Sequence, residues 1–384
     1  MLKKHEGAFI AHNEHIGNCT LPPLRVQMVP DAQVQYTPQF RICPSVRPKL
    51  DAILQSYADQ GVIEPSQSAW NSPLHVVFKQ VKRSHRHRSQ KKDKVCVVLD
   101  LRRVNQQVQS NLRHIPDASS VLDSMLSSYT DGNKPGYFTC LDVSSMFYQI
   151  SLHEDSRDIT SFMWGDKQYR FTRIAQGLKV SPANSFIIMN QILGDLQGRS
   201  VFHYIDDVLI TSATIAEHLE LLDAVLSCFA KHGLLISPAK CKIAVDSIEF
   251  LGFELKSDSY APSSKHVEAL KTYPVPKTAK QVKTFLGLCC FFIAFIPDRG
   301  TLCAPLYHLT KKSARFKWTP KCQESFDSLV RILTEPPVLK LPKFGDPFHV
   351  FTDSSTVSLA GVLCQKRDGQ FYPISYCVRG SQQS

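Results

Sequence analysis

Val201-Phe-His-Tyr-Ile-Asp-Asp-Val-Leu-Ile-Thr-Ser212 is the stretch of sequence that decides the fold. Its two halves are rich in β-branched and aromatic residues, which predicts strands over 201–205 and 208–212. Asp206 and Asp207 lie where these strands meet, so we expect a hairpin. Two interpretations are open, because aspartates are common in hairpin turns and paired carboxylates also bind divalent metals.

A third aspartate favours the metal interpretation. Asp142 ends an apolar stretch, 138–143, that predicts another strand. A carboxylate at the end of a buried strand is costly unless it is paired or metal-bound. Asp142, Asp206 and Asp207 together could hold two Mg²⁺ ions, with Mn²⁺ as an alternative. Two such ions, about 4 Å apart, stabilise the attacking and leaving oxygens of an in-line phosphoryl transfer.

The composition indicates a polyanionic partner. The 384 residues include 45 lysines and arginines against 34 aspartates and glutamates, a formal net charge of +11. Such an excess is typical of proteins that bind nucleic acid or an anionic membrane surface. The chain is long enough for two to four folded units.

The twelve cysteines predict neither a zinc site nor a disulfide framework. Apart from the pair Cys289–Cys290 they are dispersed, and no C-x2-C spacing occurs. We therefore expect reduced thiols in an intracellular compartment, cytoplasmic or nuclear. Residues 1–20 lack the apolar region of a signal peptide, and the apolar stretch 285–297 is too short to span a bilayer. No membrane partner is expected.

Strands and helices alternate between residues 137 and 253, which predicts an α+β layer. Helices are expected at 181–196 and 217–232, and one continuous strand at 248–255. A helix should follow Pro48 and end at Gly61.

Outside this layer the sequence predicts more varied structure. Residues 1–37 are expected to form an extended arm, and 274–340 a mainly helical region. The basic run 81–94 lies between strands expected at 74–78 and 95–99, as the charged tip of a hairpin. A solvated loop, a phosphate contact and a nuclear-targeting patch remain open for it. A strand at 348–352 opens the last unit.

Eight motifs occur in one order along the chain. They are Gly61-Val-Ile-Glu-Pro-Ser66, Trp70-Asn-Ser-Pro73, Leu99-Asp-Leu-Arg-Arg-Val-Asn105, Leu141-Asp-Val-Ser-Ser-Met-Phe-Tyr-Gln-Ile150, Gln176-Gly-Leu-Lys-Val-Ser-Pro-Ala183, Tyr204-Ile-Asp-Asp207, Ser237-Pro-Ala-Lys-Cys241 and Phe250-Leu-Gly252. Each is weak alone. Together, from about residue 38 onward, they resemble the polymerase of gypsy/Ty3-type LTR retrotransposons, which is related to retroviral reverse transcriptases.

The resemblance implies roles for the acidic cluster and its surroundings. Asp142 and Asp206 would hold the metals with the Val143 carbonyl, and Asp207 would lie beside them. Phe147 would close the sugar pocket against a ribose 2′-hydroxyl. A core aromatic is the structural alternative for Phe147, and Tyr148 is expected to be its buried neighbour.

The resemblance also implies roles for three further sites. Gln176 would lie against the incoming nucleotide, although an ordinary loop glutamine is the alternative. Lys240 would lie near the triphosphate, or else be a solvated lysine after a turn. Phe250, Leu251 and Gly252 would form the primer-positioning hairpin, where glycine permits close backbone approach.

The last unit resembles the first strands of an RNase H domain. Thr352-Asp353-Ser354-Ser355 and Gly361-Val-Leu-Cys-Gln365 carry this similarity, and Asp353 would be the first metal-binding carboxylate. RNase H chemistry needs several carboxylates because two metals must be held. Only Asp368 follows Asp353, so we expect a truncated domain without RNase H activity.

The sequence departs from the family in three places. Cys96 stands where an arginine usually binds the incoming triphosphate, and a thiol cannot supply a fixed cationic fork. Met146 replaces a small residue before the sugar-pocket aromatic. Phe291-Phe292-Ile293-Ala294 stands where two tyrosines and two arginines are common, which should weaken the grip on primer and template.

The sequence therefore predicts an α+β, right-hand polymerase followed by an incomplete RNase H-like fold. The expected units are an arm (1–37), fingers (38–118), palm (119–256, with the reverse transcriptase domain at about 65–256), thumb and connection (257–340) and a truncated RNase H-like domain (341–384). The expected function is RNA-directed DNA polymerase, with dNTPs and a primed RNA or DNA template as partners. Two rivals are a catalytically degenerate nucleic-acid-binding relic and an unrelated two-metal nuclease. The oligomeric state is not predicted.

Overall fold

The computed structural model describes residues 2–10, 15–79, 94–109, 115–128, 134–311, 314–335, 339–343, 345–354 and 358–380. The expected charged tip at 81–94 lies outside the described residues, apart from Lys94. Its flanking strands are present and pair antiparallel, from Leu74 opposite Leu99 to Lys79 opposite Lys94. The hairpin that the sequence predicts is therefore confirmed at its base.

The described residues contain both helices and strands throughout. The α-helices are α1 (Arg47–Asp59), α2 (Arg102–Gln107), α3 (Ala118–Ser128), α4 (Met146–Gln149), α5 (Ser181–Leu193), α6 (Ile215–Lys231), α7 (Ser264–Lys271), α8 (Ala279–Phe291), α9 (Arg299–His308) and α10 (Pro320–Thr334). The strands are β1 (Ile63–Pro65), β2 (Leu74–Lys79), β3 (Lys94–Leu99), β4 (Tyr137–Asp142), β5 (Phe162–Trp164), β6 (Lys167–Phe171), β7 (Val201–Tyr204), β8 (Asp207–Ser212), β9 (Lys242–Val245), β10 (Ser247–Phe250), β11 (Phe253–Lys256), β12 (Ser259–Pro262), β13 (Leu339–Lys340), β14 (Phe348–Ser354), β15 (Ser358–Arg367) and β16 (Gln370–Gly380).

A four-stranded sheet in the order β7-β8-β4-β9 lies at the centre of the chain. Its buried side chains alternate between two cores, as the two-residue period of a strand requires. Val208 and Ile210 pack with α5 and α6. Leu209, Phe138 and Phe202 face the opposite way and join α3 and the C-terminal helices. Burial on both faces fixes the register of the sheet, because a one-residue slip would reverse every side chain.

Helix α6 supports this sheet and forms for clear local reasons. The Thr214 hydroxyl accepts a hydrogen bond from the Glu217 amide and caps the N-terminus. Buried Leu222, Val225 and Phe229 recur at helical spacing on one face. Gly233 follows with φ of +67°, a left-handed conformation that ends helices.

The prediction of one strand at 248–255 is wrong, since β10 and β11 form a hairpin there. Phe250 pairs with Phe253, which leaves Leu251 and Gly252 as a two-residue turn with φ of +47° and +82°. Positive φ at both central residues is typical of a type I′ turn. A leucine rarely adopts this conformation, so the apolar pattern hid the turn.

The N-terminal arm is extended only in part. Leu2–Ala8 forms a 3₁₀ helix against α6, where the Asp223 carboxylate contacts Lys4 and the buried His5. Phe9 then pairs with Ile236 as a short parallel bridge. The arm is thus attached to the central sheet region rather than projecting from it.

The C-terminal part is helical from α8 to α10, as expected for 274–340, with α7 preceding that range, and then returns to strands. Phe285 and Phe292, fully buried, form part of a large core between these helices and the sheet β10-β11-β12-β13. The sheet β14-β15-β16 is antiparallel, and Tyr260 Oη donates to the Ile374 carbonyl at 3.5 Å. No helix among the described residues is long and apolar enough to cross a membrane.

The loop before α5 is held by the end of β3 and by α2. The Asn105 side chain donates from Nδ2 to the Gly177 carbonyl at 2.7 Å, and its Oδ1 accepts from the Lys179 backbone amide at 2.9 Å. Gly177 has φ of +112°, and a Cβ there would lie 2.6 Å from the Leu99 carbonyl oxygen. Because that oxygen belongs to the backbone, the contact has little freedom to relax. Gly177 therefore fixes the path of the chain beside Gln176.

Gly177→Ala should destabilise the protein by about 2–3 kcal/mol more than Gly165→Ala, since it adds a backbone collision to left-handed strain. Gly165 is a matched control because it has φ of +66° and open space around its Cβ position. Urea unfolding of both variants, followed by circular dichroism, measures the difference. Equal losses would contradict this account of the loop.

Candidate active site

The turn between β7 and β8 brings two adjacent aspartates to the end of the central sheet. Tyr204 pairs with Asp207, so Ile205 and Asp206 form a two-residue turn. Ile205 has φ of +56°, which is unfavourable for a β-branched residue and costs about 1–3 kcal/mol. The buried strands on either side hold the turn in this shape. Asp206 is consequently exposed at the tip, while Asp207 is partly buried.

Asp142 lies directly opposite Asp207. The two are paired in the antiparallel register of β4 and β8, so their side chains leave the sheet on the same face. The Val143 amide donates to the Asp206 carbonyl at 2.8 Å, which ties the end of β4 to the turn. The structure thus brings together the three aspartates that the sequence singled out.

The three aspartates concentrate negative charge at one end of the sheet. Burial, followed by the nearby carboxylates of Asp206 and Asp142, raises the pKa of Asp207 to about 6, against the opposing effect of Lys240. Lys240 Nζ lies 2.7 Å from Asp142 Oδ1. The Lys240 ammonium is therefore placed directly against one of the three carboxylates and lowers the electrostatic cost of the cluster.

The chemistry of these donors fits hard divalent cations. Mg²⁺ binds carboxylate oxygens and keeps several positions for water and substrate phosphates. As the side chains stand, no group of three or more His, Cys, Asp and Glu residues in the described part of the chain is arranged around a common metal position. The Asp142 carboxylate is instead paired with the Lys240 ammonium.

A buried glutamine supports the backbone around Asp142. Gln149 is fully buried, and its side chain donates to the Leu235 carbonyl at 2.8 Å and accepts from the Leu235 amide at 2.7 Å. The segment that contains Leu235 also pairs with the end of β4, since the Ser237 amide donates to the Asp142 carbonyl at 3.0 Å. Sequence reasoning missed Gln149. Its polar side chain between apolar Tyr148 and Ile150 was the available signal.

Phe147 and Tyr148 occupy different environments. Tyr148 is buried and stacks on Phe171 with ring centroids 5.8 Å apart, which confirms it as the core residue of the two. Phe147 is partly buried against the core formed with α5 and α6. Ser145, just before α4, has φ of +47° and turns the chain sharply after the aspartate. The role of Phe147 in a sugar pocket stays a prediction.

The remaining predicted residues lie on other elements. Gln176 is partly buried in the loop before α5. Phe250 is buried, and a Cβ on Gly252 would lie 2.9 Å from the His266 ring and 3.0 Å from that of Phe291. Glycine is therefore required where this turn meets α7 and α8.

The RNase H-like sheet does not gather acidic residues. Asp353 is exposed on β14 and pairs with Ala360, whereas Asp368 lies in the turn after β15. Eight residues of strand between 360 and 368 span about 26 Å. These two carboxylates cannot share a metal ion, and the absence of RNase H activity stays a prediction.

The chain is similar to polymerases of mobile elements and retroviruses. The family described as "Reverse transcriptase (RNA-dependent DNA polymerase)" matches residues 79–255, and "RNase H-like domain found in reverse transcriptase" matches 318–384. The Pol polyprotein of transposon 412 from Drosophila melanogaster is 30% identical over 91% of this chain. The Gag-Pol polyprotein of feline leukemia virus is 30% identical over 92% of it. The chain spans 27% and 20% of these two relatives, respectively.

A solved structure confirms the fold class. The foamy viral protease-reverse transcriptase in complex with ds DNA has a TM-score of 0.83 and 24% identity, covering 100% of this chain and 64% of that one. The expected α+β polymerase fold is therefore correct. The chain carries a reverse transcriptase domain and an RNase H-like domain of the kind found in reverse transcriptases, both homologous to those of retrotransposon and retroviral Pol polyproteins.

Proposed function

We propose that this chain is an RNA-directed DNA polymerase, which adds deoxynucleotides to a primer 3′-hydroxyl. The observation that carries the proposal is the placement of Asp142 opposite Asp207 beside the Asp206 turn, within a reverse transcriptase domain. A pair of bound divalent ions would supply the activation of the hydroxyl and the stabilisation of the leaving pyrophosphate. Asp142, Asp206 and the Val143 carbonyl would hold them, with Asp207 alongside.

The protein's own residues would position the reactants. The Val143-to-Asp206 hydrogen bond and the Gln149 clamp would hold in place the backbone that carries the acidic groups, and positioning of reacting groups lowers the barrier to phosphoryl transfer. Phe147 would restrict the sugar pocket to deoxynucleotides. Gln176 would support the nucleotide, and Lys240 would contact its phosphates.

Primer and template would occupy a cleft between the proposed units. We assign fingers to 38–118, palm to 119–256, thumb and connection to 257–340, and an RNase H-like unit to 341–384, although the family match for the last begins at 318. The turn at 250–252 would position the primer. The related foamy viral enzyme was solved with ds DNA and with an RNA/DNA hybrid, and the net charge of +11 suits such partners.

The source of the chain is proposed more narrowly from its motifs. Similarity alone does not separate retrotransposons from retroviruses, because transposon 297 and feline leukemia virus are both 30% identical to it. The order of the eight motifs and the residues within them favour a gypsy/Ty3-type element.

A catalytically degenerate, nucleic-acid-binding relic is the second candidate. Cys96, on β3, supplies no cation for a triphosphate. Phe291 and Phe292 pack against each other and against Phe253 instead of presenting charge to a primer. These features favour weak activity, whereas the intact acidic cluster favours catalysis.

Asp142→Asn and Asp206→Asn should each lower primer extension on an RNA template by about 10²-fold or more, because each removes a charge from the reacting centre. Asp195→Asn is the matched control, since Asp195 is exposed in the 3₁₀ helix Gly194–Leu196 after α5 and is not one of the three clustered aspartates. Extension with Mg²⁺ and dNTPs measures the effect. Template binding with no extension by the unsubstituted chain would select the relic instead, and cleavage without nucleotides would indicate a nuclease.

Cys96→Arg should lower the KM for dNTPs by about three- to tenfold, since a guanidinium can bind phosphate oxygens in a bidentate manner. Cys43→Arg adds the same charge at an exposed site before α1 and should leave KM unchanged. Steady-state extension at varied dNTP concentration measures both. Unchanged KM in Cys96→Arg would show that this position does not face the nucleotide.

A further inference from the structure

Lys240 is attached to the acidic cluster through both its side chain and its backbone. Its ammonium lies 2.7 Å from Asp142 Oδ1, in an ion pair whose carboxylate is only 17% exposed. Its backbone is the end of the 3₁₀ helix Pro238–Lys240, and the Lys240 amide donates to the Ser237 carbonyl at 3.1 Å. Ser237 in turn binds the Asp142 carbonyl. Lys240 is thus held beside the very residue whose charge it neutralises.

This ion pair conflicts with metal binding by Asp142. A carboxylate oxygen that ligates Mg²⁺ does so at about 2.1 Å, and an ammonium on the same oxygen would then lie within a few ångströms of a divalent cation. Like charges at that separation repel strongly where the carboxylate between them is largely buried. Lys240 must therefore withdraw from Oδ1 before that oxygen can serve as a metal ligand.

The side chain is able to withdraw. It is 60% exposed, and its four-carbon stem is flexible, so its ammonium can reach solvent while the backbone stays in place. In the resting protein the ammonium relieves part of the repulsion among the aspartates. The same ammonium becomes available to another anion when it leaves.

We propose that Lys240 is the resident counter-ion of Asp142, which occupies the metal-ligand oxygen in the resting protein and is displaced by the divalent cation. The proposal rests on the metal site proposed above. As a consequence, the protein without nucleotide binds the metal more weakly than the same three aspartates would without the Lys240 ammonium. Metal binding and release of the Lys240 side chain are then one coupled event.

The test is Mn²⁺ binding to the full chain without nucleotide or nucleic acid. Electron paramagnetic resonance measures the concentration of free Mn²⁺ and so the amount bound. Lys240→Met keeps most of the stem and removes the charge, so it should lower the Kd by about three- to tenfold. Lys240→Arg should bind as the unsubstituted chain does, or more weakly. Lys265→Met is the matched control because Lys265 forms a comparable ion pair, 2.6 Å from Glu249, and is 67% exposed.

The outcomes separate this proposal from the metal site on which it rests. Asp142→Asn should weaken Mn²⁺ binding at least tenfold and abolish the gain from Lys240→Met. If binding depends on Asp142 but Lys240→Met is no tighter than Lys265→Met, the counter-ion role is wrong and the metal site stands. If binding does not depend on Asp142 in any variant, both are wrong.

Discussion

Repulsion between carboxylates is the constraint around which the centre of this protein is arranged. Three acidic side chains lie at one end of an antiparallel sheet, where burial and then the neighbouring carboxylates raise the pKa of Asp207 to about 6. Two unit charges a few ångströms apart at a protein surface repel by several kcal/mol. Such a cluster persists only because the surrounding fold holds it and because cations offset its charge.

Rigid surrounding elements hold the aspartates in place against this repulsion. The sheet is buried on both faces, which fixes the pairing of Asp142 with Asp207. Gln149 locks the segment after β4 to Leu235. The N-terminal residues continue this support, because the Ile236 amide donates to the Ala8 carbonyl at 2.9 Å. Backbone strain at the Ile205 turn is stored in the same place, as is common at functional sites.

Much of the fold and the acidic cluster could be predicted from sequence, because strand periodicity and motif order are local signals. The hairpin around the paired aspartates and helix α6 are examples. The strand pattern hid the turn at Leu251, since an apolar residue in a left-handed conformation has no local signature, and only the family resemblance placed a hairpin at 250–252. The Gln149 clamp and the Lys240 ion pair join residues 86 and 98 positions from their partners, respectively. Contacts of that range depend on tertiary structure, which periodicity does not report.

The proposed function depends on divalent cations shared by carboxylates that are distant in sequence. A crystal structure of the full chain grown with Mn²⁺ and a primed template, with anomalous scattering from the metal, tests it most directly. We expect anomalous density between Asp142 and the Asp206–Asp207 turn, as two peaks about 4 Å apart once nucleotide is bound. Anomalous peaks at saturating Mn²⁺ that contact none of these carboxylates would contradict the account.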